Sequence, residues 1–144
     1  SMTVEELRAR RLRFSDFPGF IEFELSHPQL RALVERAPAS WRSALSSVAG
    51  VYVIVDSSNG KLHVGSAVGE GGIWGRWTSY ASNGHGGNKE LKELLERGGA
   101  VHASGFRYAI LETADTRATA EDVLARESHW KRALLTREHG YNAN

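Results

Sequence analysis

The chain has 144 residues, 41% of them hydrophobic, with four Trp, four Tyr and five Phe, a composition that suits one soluble globular domain and excludes disordered and fibrous classes. Eighteen Lys plus Arg stand against seventeen Asp plus Glu, a formal charge of +1, so no overall basic field announces a nucleic-acid partner and any such partner has to be argued locally. The lack of cysteine excludes disulfides, thiolate metal sites and cysteine nucleophiles. No apolar run approaches the roughly 20 residues that span a bilayer, and a soluble, cytoplasmic protein with no membrane partner is expected.

Ser1-Met2 reads as a cloning remnant followed by an initiator Met. Thr3 to Arg13 carries Arg8, Arg10, Arg11 and Arg13 among Leu7 and Leu12 and reads as a solvated basic arm or short helix. Phe20 to Leu25 alternates in part between apolar and acidic residues, as a short strand does. Ser26 then caps a helix with Pro28 in its first turn, and Leu30, Leu33, Val34 and Ala37 form its apolar face before Pro38. A second short helix is expected around Trp41 to Ser46, and the linker-like boundary of the chain falls near Ser46 to Ala49.

From Gly50 the pattern changes to the β-branched and aromatic run Val51 to Val55, then Asp56 to Gly60, then Lys61 to Gly65, a hairpin whose turn is marked by Asn59-Gly60. Ile73 to Ser82 and Asn88 to Arg97 are expected to be helical, the second ended by Gly98-Gly99. Phe106 to Leu111 reads as a third strand, and Thr119 to Arg137 as the longest helix, closing at Gly140.

Glu127 is the first residue here that needs a chemical reason. Val123, Trp130 and Leu134 lie at −4, +3 and +7 from it and place it in an apolar helical stripe. A carboxylate there must be paired with a cation, bound to metal or neutralised by a raised pKa; a salt bridge to Arg76 or Lys131 is the structural alternative. Arg76 lies four residues before Tyr80 and so on one helix face with it. A guanidinium beside a phenol suits phosphate recognition, and the flanking Trp74 and Trp77 either pack the helix or stack on bases.

Gly50-Val51-Tyr52, His63-Val64-Gly65, Arg76 with Tyr80, Glu127 on a later helix and the terminal Gly140-Tyr141-Asn142 resemble, in order and spacing, the GIY-YIG nucleases, with the likeness covering roughly Val48 to Asn144. The resemblance implies an α+β fold: a small three-stranded antiparallel sheet flanked by helices, over residues 48–144; residues 1–47 match no family pattern and are expected to form a short, mainly helical extension packed on it. It implies a metal-dependent DNA endonuclease of the restriction, mobile-element or defence type. By carry-over, Tyr52 is the general base or orients the attacking water, Arg76 stabilises charge developing on the phosphate, Glu127 holds one divalent cation, and Tyr80 and Asn142 complete the site. Mg²⁺ is the expected ion and Mn²⁺ the alternative, since a hard cation is content with one carboxylate, waters and phosphate oxygens.

His63 stands where the family's second motif carries Tyr. It keeps a hydrogen-bonding ring, and with an unperturbed pKa near 6.5 it takes a proton from water more readily than a phenol near 10. His85, in the Asn83 to Asn88 loop, and Lys131, on the long helix beside Arg132, are candidate substrate contacts along with Trp77; turn chemistry for His85 and a solvated face for Lys131 are the plainer readings. His102, His129 and His139 lack zinc-ligand spacing. The glycines at 69, 71, 72 and 75 precede no Lys-Ser or Lys-Thr pair, so no nucleotide or other small-molecule cofactor is implied. A catalytically silent nucleic-acid-binding module and an RNA-directed nuclease are the competing functions.

Overall fold

The computed structural model of the protein describes residues 14–144, so the basic arm from Thr3 to Arg13 lies outside the described residues. The described chain runs β1 (Leu25–Ser26), α1 (His27–Arg36), α2 (Ala39–Ser46), β2 (Val48–Asp56), β3 (Leu62–Ala67), α3 (Gly72–Asn83), α4 (Lys89–Gly98), a 3-10 helix (Ala100–Gly105), β4 (Phe106–Asp115), α5 (Ala120–Ala133) and the single-turn α6 (Thr136–His139). The strands form one antiparallel sheet in the order β1-β4-β2-β3.

The sheet therefore has four strands, not three. The added strand is only two residues long, Leu25 and Ser26 opposite Tyr108 and Arg107. The strand expected over Phe20 to Leu25 shrinks to its last residue because a turn closes at Gly19 to Glu22. Phe17, Phe20 and Phe23 recur at every third position, and all pack on the main core, with Phe17 and Phe23 edge-on against Trp41. A spacing of three is incompatible with the two-residue alternation of a strand.

Central β2 is buried on both faces, which is why it reads as an unbroken apolar run rather than an alternating one. Tyr52 and Ile54 point into the larger core with Leu30, Leu33, Trp41, Leu45, Trp77 and Tyr108. Val51 and Val53 point the other way, with Val64, Trp130 and Leu134. Helices α1, α2 and α3 cover the first face and α5 the second. Leu30, Leu33 and Leu45 are fully buried, each contributing about 2 kcal/mol of transfer free energy. Ser47 alone separates α2 from β2.

Local chemistry sets the element ends that matter for the site. Ser26 and Gln29 form a reciprocal capping box at α1, Asn88 accepts from Leu91 N to cap α4, and Thr119 accepts from Asp122 N to cap α5. The long helix expected to run on to Arg137 instead breaks after Ala133. Leu135 adopts the left-handed conformation (φ 54°), which ends the ladder of helical hydrogen bonds, and α6 restarts in a new direction that brings Tyr141 N to Leu62 O at 2.8 Å. That break lays the C-terminal tail along β3.

Candidate active site

β2 and β3 bring the first two motif elements together by register: Tyr52 pairs with Gly65, and Ile54 with His63. The glycine is needed for space. A Cβ at Gly65 would lie 2.5 Å from the Tyr52 hydroxyl, so any side chain there would evict the phenol that crosses β3. Tyr52 donates to the Tyr80 hydroxyl at 3.0 Å, and its ring meets those of Trp77 and Tyr80 edge-on. Burial, reinforced by the neighbouring Tyr80, pushes the Tyr52 pKa well above 10; burial likewise raises that of Tyr80. Both phenols stay protonated at neutral pH.

Arg76 and Tyr80 share one face of α3, as their spacing requires. The guanidinium lies over the Tyr80 ring at 4.9 Å, donates to the Tyr80 hydroxyl at 3.4 Å and to Gly86 O at 2.7 Å. Gly86 has φ 56°, and a Cβ on it would strike the Tyr80 ring, so glycine is what lets this carbonyl approach Arg76.

His63 is 3% exposed. Its Nδ1 lies 3.3 Å from Tyr141 O and 3.2 Å from Asn142 Nδ2, and its Nε2 lies 3.4 Å from Asn88 Nδ2. Burial lowers its pKa to about 4, with the Lys131 and Arg76 charges adding to the effect against an opposing hydrogen bond to Tyr141 O. The neutral ring protonated at Nδ1 suits these neighbours, with Nδ1–H donating to Tyr141 O and the Nε2 lone pair accepting from Asn88 Nδ2. Asn142 uses both ends of its amide on β3: Oδ1 accepts from Val64 N and Nδ2 donates to Val64 O, each at 2.9 Å.

Glu127 is not sealed in an apolar stripe. Its side chain is 15% exposed and pairs with Lys131 Nζ at 3.2 Å, the structural alternative noted above. The carboxylate opens on a polar cavity of about 170 Å³ that Tyr52, His63, Arg76, Lys131 and Asn142 also line. Tyr80 stands one step behind, reaching the cavity through Tyr52 and Arg76. Among the described residues no three His, Cys, Asp or Glu side chains cluster as a metal cage. One carboxylate at a polar cavity still fits a hard cation that keeps most of its waters.

Two of the expected substrate contacts lie elsewhere. Trp77 is 1% exposed and packs against Tyr52, Tyr108 and Phe23, so its rings have no free face for a base; it takes the core-packing alternative. His85 accepts from Gly87 N at 2.8 Å, fixes its own turn and is absent from the cavity wall. Sequence reasoning missed three cavity residues, Ser66, Asn88 and Asn144. Asn88 had a visible signal, its place as a helix cap, but nothing in the sequence marked its second role beside His63.

No protein-family model matches the chain, and no curated protein sequence matches it. Solved structures do. The fold is similar to a Glu-to-Ala mutant of the catalytic domain of the intron endonuclease I-TevI, with a TM-score of 0.53 at 24% identity over 67% of this chain and 94% of that one. It is similar also to the catalytic domain of the homing endonuclease I-TevI, with a TM-score of 0.50 at 26% identity over 67% of this chain and 98% of that one. The fold is thus similar to that of these endonuclease catalytic domains, in keeping with the resemblance of the spaced sequence elements to the GIY-YIG nucleases.

Proposed function

We propose that the protein is a divalent-metal-dependent endonuclease that hydrolyses phosphodiester bonds in DNA. The observation that carries this reading is the convergence of Tyr52, His63, Arg76, Glu127 and Lys131 on one polar cavity; likeness to endonuclease catalytic domains supports it. Glu127 is the residue to hold Mg²⁺, or Mn²⁺ in its place. When bound, the ion supplies charge neutralisation at the phosphate and a water of lowered pKa.

The chain's own residues do the rest. Arg76 has donors left after its bonds to Gly86 and Tyr80, and it turns them on the phosphate oxygens as negative charge grows there. Tyr52 holds Tyr80 by its hydroxyl, and Tyr80 holds the guanidinium, so the phenols position Arg76 rather than exchange protons. His63, neutral through the physiological range, gives up its 3.4 Å contact with Asn88 so that Nε2 orients the attacking water and accepts its proton as the new bond to phosphorus forms and the bond to the leaving sugar oxygen breaks, that oxygen taking a proton from solvent. Asn142 keeps β3 in the register that turns His63 to the cavity, and Lys131 offers a second cation to the phosphate.

The test is cleavage of supercoiled plasmid with Mg²⁺, Mn²⁺ or chelator, comparing the native chain with Glu127→Gln, and a matching RNA in parallel. Metal-dependent nicking of the DNA that vanishes in the variant is the expected result. Intact plasmid with every metal would overturn the nuclease reading, and cleavage confined to RNA would overturn the choice of substrate.

A further inference from the structure

Lysine is almost never fully buried unless its ammonium is paired. Lys131 is 5% exposed, and the environment of its ammonium is complete. Nζ contacts Glu127 Oε2 at 3.2 Å, Asn144 O at 3.1 Å and Asn144 Oδ1 at 3.4 Å, one acceptor for each of its three N–H groups. An ordinary Glu-to-Lys pair four residues apart sits in solvent and adds only a few tenths of a kcal/mol. This one forms part of the wall of the cavity, beside Arg76, with the Glu127 carboxylate and two Asn144 oxygens, one main-chain and one side-chain, all turned to the same cation position.

We propose that Lys131 is a resident counter-ion of Glu127: its ammonium must leave the carboxylate before Glu127 can take a divalent cation. The inference rests on the assignment of Glu127 as metal ligand made above. A fixed positive charge at 3.2 Å from the carboxylate opposes the approach of another cation, and the opposition is stronger in a part-buried cavity than in open water. The free protein therefore takes up metal weakly. Release of Lys131 gives Glu127 to the metal and an ammonium to the substrate phosphate in one movement, so metal and nucleic acid favour each other's binding.

The experiment is Mn²⁺ binding to the full chain without nucleic acid, read by electron paramagnetic resonance, for the native protein, Lys131→Met, Lys131→Arg and Glu127→Gln. Thermal melts establish that each variant is folded. Lys131→Met keeps the apolar stem and removes the charge, and it is expected to bind Mn²⁺ about tenfold more tightly than the native chain. Lys131→Arg keeps the charge and is expected to stay near native affinity, and Glu127→Gln is expected to abolish binding. Native affinity in Lys131→Met, with binding still lost in Glu127→Gln, overturns the counter-ion role and leaves Glu127 as the ligand. Equal tightening in the Met and Arg variants also overturns it, because the cause is then packing rather than charge. Unchanged binding in Glu127→Gln overturns the metal assignment itself, and the counter-ion role with it.

Discussion

Two polar clusters are built on the β2–β3 hairpin and the tail that follows α6, and they differ in what is left open. Near the hairpin turn, Asp56 is 1% exposed and accepts from Ser58 N and Oγ, the His102 ring and the Tyr141 hydroxyl at 2.6 to 3.0 Å, while Asn59 donates to that same hydroxyl. At the other cluster, His63, Arg76, Glu127 and Lys131 face a cavity. One cluster is closed on itself; in the other, Arg76 keeps donors and Glu127 keeps lone pairs for something else. The tail serves both with consecutive residues: Tyr141 anchors the closed cluster, and Asn142 holds the strand that carries His63. Satisfied polar groups at one end of the hairpin thus fix the geometry of available ones at the other.

The difference is best attacked by variants that separate stability from turnover. The largest effect is expected from Arg76→Ala, which removes the phosphate-facing fork: cleavage falls by roughly 10²- to 10³-fold while urea unfolding stays within about 1 kcal/mol of native. Asp56→Ala should do the reverse, costing about 3 kcal/mol of stability because His102 and the Tyr141 and Ser58 hydroxyls lose their common acceptor, with turnover per folded molecule reduced far less. An Asp56 variant that stays fully stable yet inactive would erase the contrast.

Acidification separates the clusters in another way. The His63 pKa is 6.5 when unfolded and about 4 when folded, so between these values the unfolded chain binds the extra proton and stability falls as pH falls, by up to about 3 kcal/mol. The buried His27 adds a loss of the same sign, since burial lowers its pKa too. Asp56, held at about 2 by its hydrogen bonds against the opposing effect of burial, is insensitive in that window and loses its contribution only as pH drops from 3.8 towards 2. Melts of native chain and His63→Gln from pH 7 to 3 should differ in slope chiefly between 6.5 and 4; parallel curves would mean that His63 is not held neutral.

Smaller effects should follow at the tail and at the altered motif position. Asn142→Ala strips Val64 of two partners, costing about 1–2 kcal/mol, and a raised His63 pKa by NMR is the accompanying sign that the ring has lost its amide neighbour. His63→Tyr puts a larger phenol into a slot already filled on both sides by Asn88 and Asn142, and cleavage is expected to drop about tenfold. A gain instead would mean that His63 weakens the site.

Much of this arrangement was legible in the sequence because its pieces are local. Val51 to Val55 declares a strand, Ser26 with Pro28 declares a helix start, and the four-residue spacing of Arg76 and Tyr80 puts them on one face of α3. What escaped is non-local. His102 and Tyr141 lie 46 and 85 positions after Asp56, a spacing without periodic signature, and nothing marks their meeting until the 3-10 helix and the tail fold against the hairpin. Trp77 misleads for a different reason: it adjoins Arg76 in sequence, but one residue of helix is a rotation of about 100°, enough to move it from the cavity side into the core. The break at Leu135 carries no Gly or Pro to announce it, and it requires a left-handed residue that sequence propensity disfavours.

The pairing of Asn142 with Val64 has one more consequence. β3 is the outer strand of the sheet, and a bare outer strand is a template on which a second chain can add by backbone pairing. Here Tyr141 N occupies Leu62 O, and the Asn142 amide, with its donor and acceptor set side by side as in a peptide group, occupies Val64 O and N. The Tyr141–Asn142 segment therefore covers part of that edge, and removing it would leave free strand backbone beside the cavity.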